Sequence, residues 1–288
     1  MSNKFLISII VPTLNSSYHL ETLLKSIKLQ KFKNVEIIIA DNNSKDETAK
    51  IAKKYNAKVV FVQGNPPQVA KQRNVGAKMS KGEYLYFMDH DMELSKDFLI
   101  HFAKKIQNKT FADIEAWYVP EKIISKSKIL SIARNFESMF INGSPVSAAR
   151  LIKRSAYNST NGFDEELSNG PADWDFDIQL RLRKNKFGVF DKIIYHHEEN
   201  LSIWKYIFKK TTYINGEEIY KNKWREDQSI YKNLVVKQYN LRYRIFWIFV
   251  ENGKWRKLVR HLYQYFIFLF IKLSMVTVYV YWRHKYVK

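Results

Sequence analysis

The sequence predicts an α/β fold, a mostly parallel sheet flanked by helices, followed by a basic, aromatic, helical C-terminal extension. Three observations carry this expectation. Through the first ninety or so residues, short runs rich in Ile, Val and aromatics alternate with longer runs whose apolar residues recur at helical spacing. Each apolar run closes on polar residues, as strands do where they deliver side chains to a ligand. After Asn200 the character changes: residues 201–288 hold eighteen Lys/Arg against five Asp/Glu, interleaved with Trp, Tyr and Phe.

Taken in order, "FLISIIVPT" is a first strand and "HLETLLKSIKLQ" a helix with apolar positions at Leu20, Leu23, Leu24 and Ile27. "VEIIIADNN" is the second strand. "SKDETAKIAKKY" is the second helix, with Ser44 as N-cap and Glu47 three residues on. "AKVVFVQG" is a third strand, "QVAKQRNVGAKMSKG" a third helix and "EYLYFMDHD" a fourth strand. This alternation implies βαβ units with right-handed crossovers. Residues 110–200 are less regular; they hold "NGFDEEL", the helical "ADWDFDIQLRLRKN" and the strand "FGVFDKIIY" running into "HHEE". The expected organisation is a domain over residues 1–200 and a helical region over residues 201–288.

At 288 residues the chain can bury a sizeable core, and its 46% apolar share is ordinary. Its charge is not. Forty-eight Lys/Arg against 28 Asp/Glu give +20, which favours a polyanionic partner, nucleic acid or an anionic membrane surface. With no cysteine there is neither a disulfide nor a thiolate metal site. The N-terminal apolar run lacks a small-residue cleavage site and reads as a strand and not a signal peptide, so the expected setting is cytosolic or the cytosolic face of a membrane.

"GEYLYFMDHDMEL" carries the sharpest chemical signal. If the strand continues, Asp89 and Asp91 face one side, and two carboxylates there make a hard-oxygen site for Mg²⁺ or Mn²⁺. The bland alternative is a pair of acids ending a strand at the surface.

The ordered set "IIVPTLN", "IIIADNNSKDET", "KQRNVGAKMSKGEYLYFMDHD" and "NGFDEEL…DWDFDIQLRLR" resembles the family 2 glycosyltransferases of the GT-A, Rossmann-like fold, over about residues 5–200. The resemblance implies an inverting, metal-dependent transferase using a UDP- or GDP-sugar. It places Pro12, Thr13 and Asn15 along the nucleotide pocket and Asp41, with Asn43, at the base. Arg73 and Asn74 would lie near the diphosphate and ribose, Asp89 near the ribose and donor sugar, and Asp91 on the Mn²⁺ or Mg²⁺. Asp173 matches the general base, although Ala172 replaces the glutamate usual before it. By spacing alone Asp173 is an acid favoured at a helix N-terminus. Asp175 matches the next acidic position, and Gly162 lies in the acceptor loop. One of two adjacent histidines would complete the metal site, and His196 is preferred over His197.

Tyr265 to Trp282 is eighteen residues with one charge, Lys272, close to the minimum for a spanning helix. Basic and aromatic flanks favour interfacial helices lying on the membrane over a single span or ordinary packing. That points to a lipid-linked or growing glycan as acceptor. The alternatives are a polyprenyl- or dolichyl-phosphate sugar synthase, a nucleic-acid-binding protein without a recognisable module, a nucleotidyltransferase lacking the expected Gly-rich loop in "PTLNSSYHL", and a non-catalytic relative.

Overall fold

The computed structural model describes residues 5–64, 68–167, 171–199, 201–206 and 215–286, with the helix backbone alone at 215 and 279–286. Strands β1 (Ile7–Thr13), β2 (Val35–Asp41), β3 (Lys58–Phe61) and β4 (Tyr84–Phe87) alternate with helices α1 (Ser17–Lys28), α2 (Thr48–Lys54) and α3 (Val69–Met79). After them come β5 (Met92–Leu94), α4 (Phe98–Gln107), β6 (Ala116–Tyr118), β7 (Glu121–Ile124), α5 (Lys128–Ile141), β8 (Leu151–Lys153), α6 (Arg154–Asn158), α7 (Ala172–Leu182), β9 (Phe187–Val189) and β10 (Ile194–His197). The main sheet runs β3-β2-β1-β4-β8-β6-β9. Only β8 is antiparallel to its neighbours, so the expected mostly parallel sheet is present. A second sheet, β5-β10-β7, stands beside it.

Both faces of the main sheet are covered, which is why β1 is buried at all seven positions. Ile7, Ile9 and Val11 join Leu20, Leu23, Leu24 and Ile27 of α1 in one core. Ile10 faces the other, with Ala70 and Ala77 of α3 and Phe163 and Phe176. Gly76 lets α3 approach closely, since a Cβ there would run into the Ile10 side chain.

Three local expectations are corrected. α2 begins at Thr48, because the Ser44 hydroxyl is engaged at the end of β2 and leaves its first turn without that cap. β4 stops at Phe87, so Asp89 to Asp91 form a turn between two strands and not the end of one. "FGVFDKIIY" is two strands in two sheets, broken around the buried Phe190.

The C-terminal half packs back on these layers. Tyr220 and Val235 enter the core of Phe176 and Leu180. Phe249, Phe268 and Ile271 join Phe136 and Phe140 of α5. The last described element is a long helix, Leu262–Tyr286.

Candidate functional site

The sheet order reverses between β1 and β4, and crevices at the carboxyl ends of strands flanking such a switch are where ligands sit. Thr13, Asp41 and Asp89 lie at or just past the ends of β1, β2 and β4. Pairing of β1 with β4 ends at Ile10, so Pro12 lies where β1 has a paired neighbour only on the β2 side. The buried Asp41 accepts from the Thr13 hydroxyl (2.7 Å), the Ser44 hydroxyl (2.5 Å) and the Ser44 N–H (2.8 Å). Asn15 and Asn43 both adopt left-handed backbone (φ 49° and 55°), which asparagine tolerates. Asn15 accepts from the Lys45 N–H (2.9 Å) and donates its own N–H to Ser44 (2.8 Å), binding the two strand-end turns together.

Asp89 and Asp91 diverge, as a turn allows and a strand would not. Asp89 is gripped by two arginines: Arg73 at 3.1 Å on one oxygen and Arg150 at 3.2 Å on the other. Burial alone would raise the Asp89 pKa; Arg150 and Arg73 outweigh it and hold the carboxyl well below the usual range. Asp91 instead faces His196 Nε2 at 3.3 Å. The small sheet makes this possible by setting β10 between β5 and β7, with His196 opposite Met92 and Ile123. The other ring nitrogen, His196 Nδ1, lies 2.9 Å from Glu121. Burial would lower the His196 pKa, but hydrogen bonds to Asp91 and Glu121 push it up to about 10. Adjacent residues point to opposite faces: His197 pairs with Glu93 (2.9 Å) and Glu199 (2.7 Å) instead.

The donor set is compatible with a divalent cation. Asp91 and His196 put one carboxylate and one imidazole nitrogen within 3.3 Å of each other, and Glu121 would orient the ring through its far nitrogen. Among the described residues no group of three or more His, Asp or Glu forms an all-protein cage. Mg²⁺ and Mn²⁺ commonly take one or two side chains and fill the rest of their shell from phosphates and water.

Asp173 lies in the first turn of α7, and Arg73 donates to its Oδ1. Arg73 therefore bridges Asp173 and Asp89, and its guanidinium stacks 5.2 Å from the Phe163 ring. Asn74 is committed to the loop around Gly162. It donates to the Phe163 carbonyl (2.8 Å) and Glu165 (3.0 Å) and accepts from the Phe163 N–H (2.9 Å) and Tyr157 hydroxyl (3.0 Å). Gly162 has φ +75°, and a Cβ there would stand 2.7 Å from Asn74 Oδ1. Asp175 is fully buried and receives Trp224 Nε1, Lys223 and Gln179, while Gln179 also donates to the Gly162 carbonyl (3.1 Å). Asp175 thus braces the loop from below.

A family model for glycosyl transferase family 2 matches residues 8–159, more than half of the chain. The chain belongs to glycosyltransferase family 2. It is 27% identical over 197 residues to the poly(ribitol-phosphate) β-N-acetylglucosaminyltransferase TarP of Staphylococcus aureus, 64% of this chain and 59% of that one. It is 37% identical over 98 residues to the corresponding TarS enzyme, 32% of this chain and 17% of TarS. The chain thus spans less than two thirds of the length of either relative. Among solved structures, TarS 1–349 with UDP-GlcNAc superposes at a TM-score of 0.63 with 21% identity, covering 90% of this chain and 80% of that one. The mannosyltransferase PcManGT of Pyrobaculum calidifontis, with GDP-Man and Mn²⁺, gives 0.63 at 12% identity, covering 90% and 76%. These likenesses show the GT-A fold.

In this family 2 chain the sequence did not single out Glu121, Arg150 or Gln72. Gln72 donates to the carbonyls of Thr13 (2.9 Å) and Ala40 (2.6 Å), pinning α3 over the ends of β1 and β2. Arg150 reaches Asp89 because its carbonyl accepts from the Phe87 N–H (2.8 Å) across the β4–β8 pair. Its Nε donates to Glu121 (2.9 Å), closing a chain from Asp173 through Arg73, Asp89, Arg150 and Glu121 to His196 and Asp91. The one local signal was an arginine leading an apolar strand.

Proposed function

We propose that this chain transfers a sugar, with inversion, from a UDP- or GDP-sugar to a hydroxyl of a lipid-linked or growing glycan. The observation that carries the reading is Arg73, one side chain joining Asp89 on the donor side to Asp173 on the acceptor side. Thr13, Asn15, Asp41 and Asn43 form the strand-end turns that would receive the nucleoside. Mn²⁺ or Mg²⁺ would be held by Asp91 and His196, and when bound it neutralises charge gathering on the diphosphate. Arg73 and Arg150 supply fixed positive charge beside Asp89.

Arg73 engages one Asp173 oxygen. The other takes the proton of the acceptor hydroxyl. The freed oxygen attacks the anomeric carbon opposite the nucleotide. The bond from that carbon to the phosphate oxygen breaks, and its electron pair leaves with the diphosphate. A hydroxyl acceptor needs such a base, whereas a phosphate acceptor is already anionic; Asp173 therefore favours the hydroxyl. The names of TarP and TarS, which transfer N-acetylglucosamine to poly(ribitol phosphate), support a polymeric acceptor. The setting we assign is peripheral, on the cytosolic face of a membrane. Among the described residues, no helix is long and apolar enough to cross one.

The test is a panel of nucleotide sugars with and without Mn²⁺, read by thermal protection and nucleotide release. Protection by one UDP- or GDP-sugar, abolished by EDTA, is expected. No protection by any member would remove the reading.

A further inference from the structure

The C-terminal helix has two unlike sides. On one, Phe268 and Ile271 are buried against Phe136, Phe140 and Phe249, and Lys272 Nζ lies 2.8 Å from the buried Glu137 of α5. On the other, Tyr263, Phe266, Phe270 and Leu273 are 70%, 62%, 71% and 46% exposed. Their spacing of three, four and three residues sets them in one stripe along the helix. A helix that crosses a bilayer is apolar all round, whereas this one has already given one side to the protein, with a charge at its centre. Large aromatic side chains left outward in a row mark an interaction surface.

Charge decides the occupant. Residues 231–288 carry twelve Lys/Arg and one Asp/Glu. The short helix Trp255–Val259 leads into the long one, with Trp255, Arg256, Lys257 and, just beyond, Arg260 all exposed. Arg256 lies 5.6 Å from the Trp255 ring. A second copy of the chain would bring like charges together. An anionic lipid surface meets both needs, receiving phenylalanines into the acyl boundary and cations among the headgroups.

We infer that the stripe Tyr263, Phe266, Phe270 and Leu273, with the basic turn before it, seats the protein on an anionic bilayer. The same docking reaches the active site. Arg134, one turn before Glu137 on α5, pairs with Glu198 at 3.1 Å, directly after the histidine strand β10. A lipid-borne acceptor would be presented to a site braced against the membrane-facing helix. That last step rests on the proposed glycosyl transfer; the lipid surface itself does not.

The experiment is co-sedimentation of the full chain with phosphatidylglycerol–phosphatidylcholine vesicles, against phosphatidylcholine alone. The expected result is binding to the anionic vesicles that weakens with salt. Phe266→Ser/Phe270→Ser should weaken it by at least about tenfold, since each ring gives up its transfer from water. Arg256→Glu/Arg260→Glu should weaken it and flatten its salt dependence. An unchanged melting curve would show that the helix remains docked on α5. The inference is overturned if the native chain ignores anionic vesicles, or if the phenylalanine variant binds as well as the native chain. It is equally overturned if sedimentation finds a dimer that this variant dissociates, for the stripe is then a protein interface. Nucleotide-sugar binding measured in parallel reports the active site separately; its failure alongside intact vesicle binding would remove only the function.

Discussion

Arg73 donates to Asp173 through one guanidinium nitrogen and to Asp89, 3.1 Å away, through another. The side chain is 7% exposed, and its Nε is buried with no hydrogen-bond partner among the described residues. A planar fork can hold two carboxylates at fixed separation, whereas an ammonium is a point charge that can favour only one. Arg73→Lys should therefore lose about one charge-assisted hydrogen bond, roughly 2 kcal/mol or thirtyfold in kcat/KM. Steady-state kinetics with the donor found in the panel would check this, and a lysine variant of native activity would show the bridge to be incidental.

Asp173→Asn keeps the shape of the side chain and an oxygen for Arg73 while removing the proposed base. Donor affinity should change little, and turnover should fall by roughly 10² to 10⁴. Calorimetric titration of donor beside single-turnover transfer separates the two effects. Equal loss in both would make Asp173 a structural acid of the helix start.

The metal assignment predicts a graded series. Asp91→Ala should abolish Mn²⁺-dependent donor binding, and His196→Ala should weaken it severely. Glu121→Gln, which meets the far nitrogen of His196 with one oxygen and Arg150 with the other, should lower metal affinity by about 10- to 100-fold. Metal titrations followed by donor protection give the ranking. Donor binding indifferent to Asp91 would place the cation elsewhere.

Much of this was legible in the chain. The first four strands and three helices showed in local periodicity, because each buries one stripe or two faces against its neighbours. The acids that close the strands were legible for the same reason, as polar residues interrupting apolar runs. What stayed hidden depends on partners far along the chain. β4 stops at Phe87 where its pairing with β1 stops, so nothing in "FMDHD" itself marks the turn that sends Asp89 and Asp91 apart. Arg150 and Glu121 became site residues only through the pairing of β8 with β4 and of β10 with β7. Lys272, the one charge in the apolar run Tyr265 to Trp282, has its reason in Glu137, 135 residues earlier.

Gly162 tests the acceptor loop. Alanine there must adopt a left-handed conformation that costs about 1–2 kcal/mol, and its Cβ would crowd the Asn74 carbonyl that fixes the loop. Gly162→Ala should lower the melting temperature by a few degrees and raise KM for the acceptor, with donor affinity near native. A variant with native acceptor KM would show that the loop does not bind the acceptor.

Glu137 sets the acid limit of the C-terminal docking. It lies between Lys272 at 2.8 Å and Arg134 and Arg244 at 3.9 Å each. Burial would raise its pKa, but Lys272, Arg244 and Arg134 together hold it down at about 2, against 4.5 ordinarily. Above pH 4.5 the group is ionised in folded and unfolded chains alike, and its contribution to stability is complete. As pH falls from 4.5 toward 2 the unfolded chain takes up a proton that the folded chain refuses, so the contribution drains away, on the order of 3 kcal/mol in all. Glu137→Gln removes this titration and, at neutral pH, leaves Lys272 half-buried without its carboxylate. The variant should be less stable near pH 7, with its C-terminal helix cleaved sooner by protease, and should lose less further stability between pH 4.5 and pH 2 than the native chain. Urea unfolding of both across that range isolates Glu137 from the other carboxylates, which titrate equally in each. Curves that stay parallel down to pH 2 would mean the helix is held by its aromatic contacts alone.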